Sequence, residues 1–131
     1  MSNSTFDVVG LGNAIVDVIS QQDDAFLADW GIHKNNMNLI DAGRADALTQ
    51  ASVNALETSG GSGANTIAGI ASLGGRAAYV GKVADDRLGE VFRADMARIG
   101  VPFETSPLLG GEATARSIIF VTPDGARSMN T

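Results

Sequence analysis

Residues 60–75 read GGSGANTIAGIASLGG, with six glycines among sixteen residues and nothing larger than Ile67, Ile70 or Leu73. Ordering glycine costs more backbone entropy than ordering any other residue. Such a run folds stably where backbone must approach something that a Cβ would push away. From Ala64 to Leu73 the segment predicts a helix of small residues, with Ile67, Ile70 and Leu73 at helical spacing, and Gly74-Gly75 stops it. Gly60 and Gly61 stand just ahead of that helix. Free N–H groups at a helix start hold hydroxyls or anions. Asn65 adds a donor and an acceptor one turn in. Close packing and an N-cap from Ser62 would account for Ala64, Ala68, Gly69 and Ala71, and less well for the doubled glycine.

The rest of the chain reads as alternating strand and helix. FDVVGLGNAIVDVI, Phe6 to Ile19, predicts a buried first strand interrupted at Gly10 and Gly12. Asp23-Asp24 opens a short helix with Phe26, Leu27 and Trp30 on one face and Gly31 at its stop. Met37 to Ile40 predicts a short strand, and Arg44 to Leu56 a helix. Ala77 to Val83 predicts a second buried strand. Asp86 to Ile99 predicts a helix with Leu88, Val91, Phe92, Met96 and Ile99 near one stripe, ended by Gly100. Thr105 to Glu112 reads as a loop. Ala115 to Thr122, a Pro123-Asp124-Gly125 turn and Ala126 onward predict a hairpin. This order points to an α/β fold with parallel crossovers. The polar last arm, ARSMNT, stops without a turn or cap, and is read as a sign of a chain cut short.

At 131 residues, with 44% apolar and 18% charged, the chain is long enough for one domain with a core. A net charge of −6 and no run of four basic residues disfavour nucleic acid. With no cysteine, disulfides and Cys-ligated metals are excluded. The start MSNSTFD lacks a basic residue and no 18-residue apolar stretch follows, so a soluble cytoplasmic protein without membrane contact is expected.

GLGNAI, residues 10–15, begins like a dinucleotide fingerprint. Ile15 replaces its third glycine, and Asp17 falls far short of the acidic position about 20 residues on. Gly81-Lys82 is followed by Val83 where a phosphate loop needs Ser or Thr. Asp17 lies in the most apolar stretch of the chain, where an unpaired buried carboxylate is expensive. It is either a solvent-facing or backbone-capped strand carboxylate, or a ligand group at a strand's carboxyl end that accepts hydrogen bonds from a vicinal diol. His33 is isolated, with no Cys or paired His nearby, and reads as a surface or satisfied histidine and not as a ligand. Asp85-Asp86 reads as a helix cap. Arg116 and Arg127 lie on the hairpin, solvated or near a pocket.

These residues together resemble the PfkB, or ribokinase-like, family of carbohydrate and nucleoside kinases. The resemblance is most specific over GGSGANTIAGIASLGGRAAYVGKVADDRLGEVF, residues 60–92. GNAIVDV at 12–18 and TARSIIFVTPDGARSMN at 114–130 agree in order and spacing, and GNAIVDV, MNLID and GARSMN look more like the adenosine-kinase-like branch. Ala84 departs from the glycine common before the Asp pair, a change expected to alter only a turn. The resemblance implies a central α/β sheet flanked by helices with a small β-lid, its strands near 13–19, 37–41 and 114–131. Residues 1–131 would be the N-terminal part of one such domain. It implies a site for sugar hydroxyls built from Asn13, Asp17, Gly60, Gly61 and Asn65. Met37, Leu39, Phe120 and Arg127 would stand at the lid and pocket mouth. It implies transfer of the ATP γ-phosphoryl with Mg2+ to a primary hydroxyl of a sugar or nucleoside, and allows a homodimer through the lid. The family's catalytic Gly-Ala-Gly-Asp loop is absent from these residues, as are the ATP sites, so the 131 residues alone are expected to be inactive. The alternative is a stand-alone module that binds a sugar or nucleoside without catalysis.

Overall fold

Helix α4, Arg87–Arg98, shows how closely local chemistry sets these elements. Asp86 is its N-cap, its carboxylate accepting from the Gly89 N–H at 2.7 Å. Leu88, Phe92 and Met96 form the buried stripe, and Gly100, at φ +74°, carries the chain out of the helix. The computed structural model describes residues 4–131 and divides the chain into two units.

The first unit comprises the chain to Val16 and Thr58–Ala115. Within it β1, Val8–Leu11, pairs in parallel with β5, Ala77–Val80, with Val8 opposite Ala77 and Leu11 opposite Val80. Helix α3, Ser62–Ser72, and α4 belong to this unit. Its core joins Ala14, Val16, Ala64, Ile67, Tyr79, Val83, Phe92, Met96 and Val101. β1 is not the buried strand expected. β5 is its only neighbour among the described residues, and Val9 and Leu11 stay 58% and 82% exposed.

The second unit comprises Asp17–Glu57 and Arg116–Thr131. A five-stranded sheet runs in the order β3, Met37–Asn38; β7, Arg127–Asn130; β6, Ala115–Val121; β2, Ile15–Gln21; β4, Leu56–Gly60. Three of these strands, β2, β4 and β6, continue across the division of the chain. α1, Asp24–Asp29, and α2, Ala42–Ala51, are capped by Asp23 and Asp41. Val18, Leu27, Ile32, Leu48, Ile118 and Phe120 form a separate core.

The expected hairpin is present as antiparallel β6 and β7, with Phe120 opposite Ser128. Its polar second arm is an interior strand between β6 and β3. Ser128 and Asn130 are buried there with partners: the Ser128 hydroxyl accepts from the Asn35 N–H at 3.0 Å, and the Asn130 amide donates to the Ile118 carbonyl at 3.1 Å. The helix expected to run to Leu56 stops at Ala51 instead. Asn54, at φ +53°, turns the chain, and Leu56–Gly60 forms β4.

Candidate functional site

β4 delivers the chain into the glycine turn. Gly60 is buried at the strand end, and Gly61, at φ +90° and ψ 143°, is the N-cap of α3. Only glycine adopts that backbone readily. A Cβ on Gly61 would also lie 3.1 Å from the Asn13 carbonyl oxygen, so the β1–β2 connection and the start of α3 are in close contact. The expected cap from Ser62 is not made: the cap residue is Gly61, and no side chain hydrogen-bonds the helix start. The Ser62 carbonyl instead accepts from the Thr66 hydroxyl at 2.8 Å, and the first intrahelical bond joins the Asn65 N–H to the Gly61 carbonyl at 2.9 Å. Among the described residues, therefore, no side chain caps the amides of the first turn. The side chains of Asn13 and Asn65 are exposed.

Asp95, on α4, fixes this turn from behind. Its carboxylate accepts from the Ser59 N–H at 2.7 Å and the Thr58 hydroxyl at 3.2 Å, and its other oxygen from Arg98 at 3.1 Å. Burial works to raise its pKa, but the Ser59, Arg98 and Thr58 hydrogen bonds outweigh that and hold it below the ordinary 3.8. A lowered folded-state pKa means stability present above pH 3.8 and lost as pH falls through the folded value. Asp95→Ala is expected to cost about 2 kcal/mol at neutral pH. Unfolding curves for both proteins should converge as the buffer drops below pH 3.8; a pH-independent difference would show that the ionised carboxylate is not what fixes the turn.

Beneath the same turn lies Tyr79. Its ring is stacked on Phe103 at 6.0 Å and lies 5.9 Å from Phe92. Three glycines close over it. A Cβ on Gly12 would sit 2.8 Å from the hydroxyl, one on Gly63 3.6 Å from it, and one on Gly81 2.9 Å from the ring edge. The hydroxyl is buried and has no hydrogen-bond partner among the described residues, an arrangement that costs roughly 1–3 kcal/mol. Burial also pushes the phenol pKa upward.

In the second unit Asp17 lies on β2 between Val16 and Val18, both buried, and alternation turns it to the opposite face. It is half-buried and makes no side-chain hydrogen bond among the described residues, and burial raises its carboxyl above the ordinary 3.8. Met37 and Leu39 are 55% and 81% exposed, and Arg127 is exposed. Phe120 differs from its expected place at a pocket mouth. It is fully buried, its ring edge-on to Phe26 at 5.0 Å, because the β6 face that carries it packs on the core. Arg116 is ion-paired with Asp46, and His33 lies at the surface. Among the described residues no group of three His, Cys, Asp or Glu is placed to hold a metal, and no helix is long and apolar enough to cross a membrane.

Asp95 and Tyr79 were not singled out from sequence. Asp95 lies off the apolar stripe of its helix, and nothing local ties it to Ser59. Tyr79 reads as one more core residue of a strand, though it is the only tyrosine in the chain.

The chain thus has a mixed α/β fold in which a glycine turn opens onto the start of α3. Comparison with known proteins gives its class. A family model described as pfkB family carbohydrate kinase matches residues 26–131. The adenosine kinase from Sinorhizobium meliloti is 59% identical, with a TM-score of 0.86 over 97% of this chain and 39% of its own. A probable sugar kinase from Rhizobium etli CFN 42 is 56% identical, with a TM-score of 0.86 over 96% of this chain and 38% of its own. Probable fructokinase-4 of Arabidopsis thaliana is 36% identical over 72 residues, which are 55% of this chain and 22% of that protein. The chain belongs to the pfkB family of carbohydrate kinases, has the ribokinase-like α/β fold of its adenosine kinase neighbours, and spans about two fifths of their length.

Proposed function

We propose that these residues form the acceptor-binding part of an ATP-dependent kinase that phosphorylates a primary hydroxyl of a nucleoside or sugar. The observation that carries this reading is the start of α3, where Gly61 takes a glycine-only backbone and no side chain occupies the first-turn amides. Hydroxyl oxygens of a sugar are suitable acceptors for such amides. Asn13 and Asn65 would add side-chain donors and acceptors. In the second unit, Asp17 has an unused carboxylate suited to gripping a vicinal diol. Met37, Leu39 and Arg127 would serve the lid. The 59% identity to an adenosine kinase favours a nucleoside, and the 56% identity to a probable sugar kinase keeps ribose-like sugars as the second choice.

ATP is the donor this family membership implies. None of the 131 residues forms a Gly-Ala-Gly-Asp loop, and we assign the ATP and Mg2+ sites to residues beyond these. Phosphoryl transfer rests on positioning and charge stabilisation, so the 131 residues by themselves would bind acceptor without transferring phosphate. A cytoplasmic setting fits this reading, and so does a homodimer through the second unit's strands β3 and β7, where Met37 and Met129 are exposed beside Leu39.

The test is to supply the protein with ATP, Mg2+ and in turn adenosine, ribose and fructose, following ADP release and the mass of the acceptor. The 131 residues by themselves should bind one acceptor saturably, adenosine first among them, and release no ADP, whereas a longer kinase that contains them should add one phosphoryl group to that acceptor. Binding without ADP release in the longer protein as well would favour the non-catalytic module. ADP release by the 131 residues alone would overturn their expected inactivity, and no binding of any of the three would overturn the proposal.

A further inference from the structure

We infer that the Tyr79 hydroxyl is a substrate contact, a floor group that hydrogen-bonds a ribose or sugar hydroxyl seated at the start of α3. The inference rests on the acceptor-binding reading above and adds a specificity-determining residue to it. Two independent observations meet here. The first turn of α3 has no capping side chain. The hydroxyl of Tyr79, a residue only 1% exposed, ends against Gly63, the second residue of that helix, and has no hydrogen-bond partner among the described residues.

The surroundings are shaped for this. Phe92 and Phe103 hold the ring body, so the hydroxyl can point only toward the glycine loops. Those loops contain glycine at the two positions where a side chain would strike the oxygen or the ring, Gly12 and Gly81, and a Cβ on Gly63, at the start of α3, would lie in ordinary van der Waals contact with the hydroxyl. Gly12 and Gly63 are partly exposed on their outer side. Glycine backbone at Gly12 and Gly63 therefore stands against the hydroxyl, and glycine is the residue whose backbone shifts most readily. Packing alone would be served by phenylalanine, which fills the same space without an unpaired oxygen. A phenol both donates and accepts, as a sugar hydroxyl does, whereas the first-turn amides only donate.

The experiment compares the unaltered protein, Tyr79→Phe and Asp17→Asn. For each, calorimetry gives the affinity for adenosine and for analogues that lack one ribose hydroxyl apiece, and a melting curve gives stability. Tyr79→Phe is expected to melt at the same or a higher temperature and to bind adenosine roughly tenfold more weakly. It should also stop discriminating against one of the deoxy analogues, which a merely structural role would not change. Unchanged affinity and discrimination would overturn the inference, as would a lower melting temperature with discrimination intact, since the hydroxyl would then serve the fold. If Asp17→Asn weakens binding and Tyr79→Phe does not, only this inference falls. If the unaltered protein binds no nucleoside or sugar, the proposed function falls, and this inference with it.

Discussion

Replacing Asp17 with Asn should raise the melting temperature at neutral pH and weaken acceptor binding about a hundredfold. Both effects have one cause. The carboxylate is half-buried on an apolar strand and makes no side-chain hydrogen bond among the described residues. Burial therefore lifts its folded-state pKa above 3.8, so the native protein binds this proton more readily than the unfolded chain. Stability then falls as pH rises from 3.8 through the folded value, and stays lower above it. Asn removes that loss, so the gain should be full at neutral pH and vanish below pH 3.8. Affinity moves the other way. Two charge-assisted bonds to a diol contribute about 1.5–3 kcal/mol each, and a neutral amide keeps a fraction of that. Melting curves on both sides of the window, with calorimetric titration of adenosine, check both arms. A lower melting temperature at neutral pH would mean that the carboxylate stabilises the fold and is not held in reserve for a ligand.

The second large effect is on the fold. Gly89→Ala is expected to destabilise the protein by about 3 kcal/mol, although alanine favours a helix by about 1 kcal/mol over glycine. The new Cβ would lie 2.2 Å from the Ala84 carbonyl oxygen and 3.2 Å from the Thr114 hydroxyl. Neither neighbour is free to give way. The Thr114 hydroxyl accepts from the Ala84 N–H at 2.9 Å and donates to Asp86 at 2.7 Å, while the Thr114 N–H donates to the other Asp86 oxygen at 2.9 Å. The fall in melting temperature should be on the order of 10 °C. An unchanged or higher melting temperature would show that the Ala84 turn adapts at little cost.

What could be read from the chain alone follows from how local each signal is. α1 and α4 start at Asp23 and Asp86, where a capping acid precedes an apolar stripe, and both expected stops at Gly31 and Gly100 carry positive φ. The hairpin was legible from its Pro-Asp-Gly turn. β4 was not, because LETSG has neither alternation nor a β-branched run, and only the αL turn at Asn54 separates it from α2. β7 looked like an unfinished polar arm because its buried Ser128 is satisfied by Asn35, far away in sequence, and its buried Asn130 by Ile118 across the hairpin. The unusual glycines at the start of α3 were visible as composition. Their reason was only half visible: Gly61 needs its backbone angle, and it also makes room for the Asn13 carbonyl, which comes from another part of the chain. Phe120 shows the converse error: Ser117 to Phe120 are buried in succession, so both faces of β6 are covered and Phe120 has no open pocket mouth to face.

Calorimetric titration of adenosine, then ribose, into the purified protein tests the central claim most directly. The account predicts saturable heat at one site per chain for at least one of them, abolished in Asp17→Ala while the variant still melts cooperatively. Flat titrations with both ligands, or equal binding by Asp17→Ala, would contradict it.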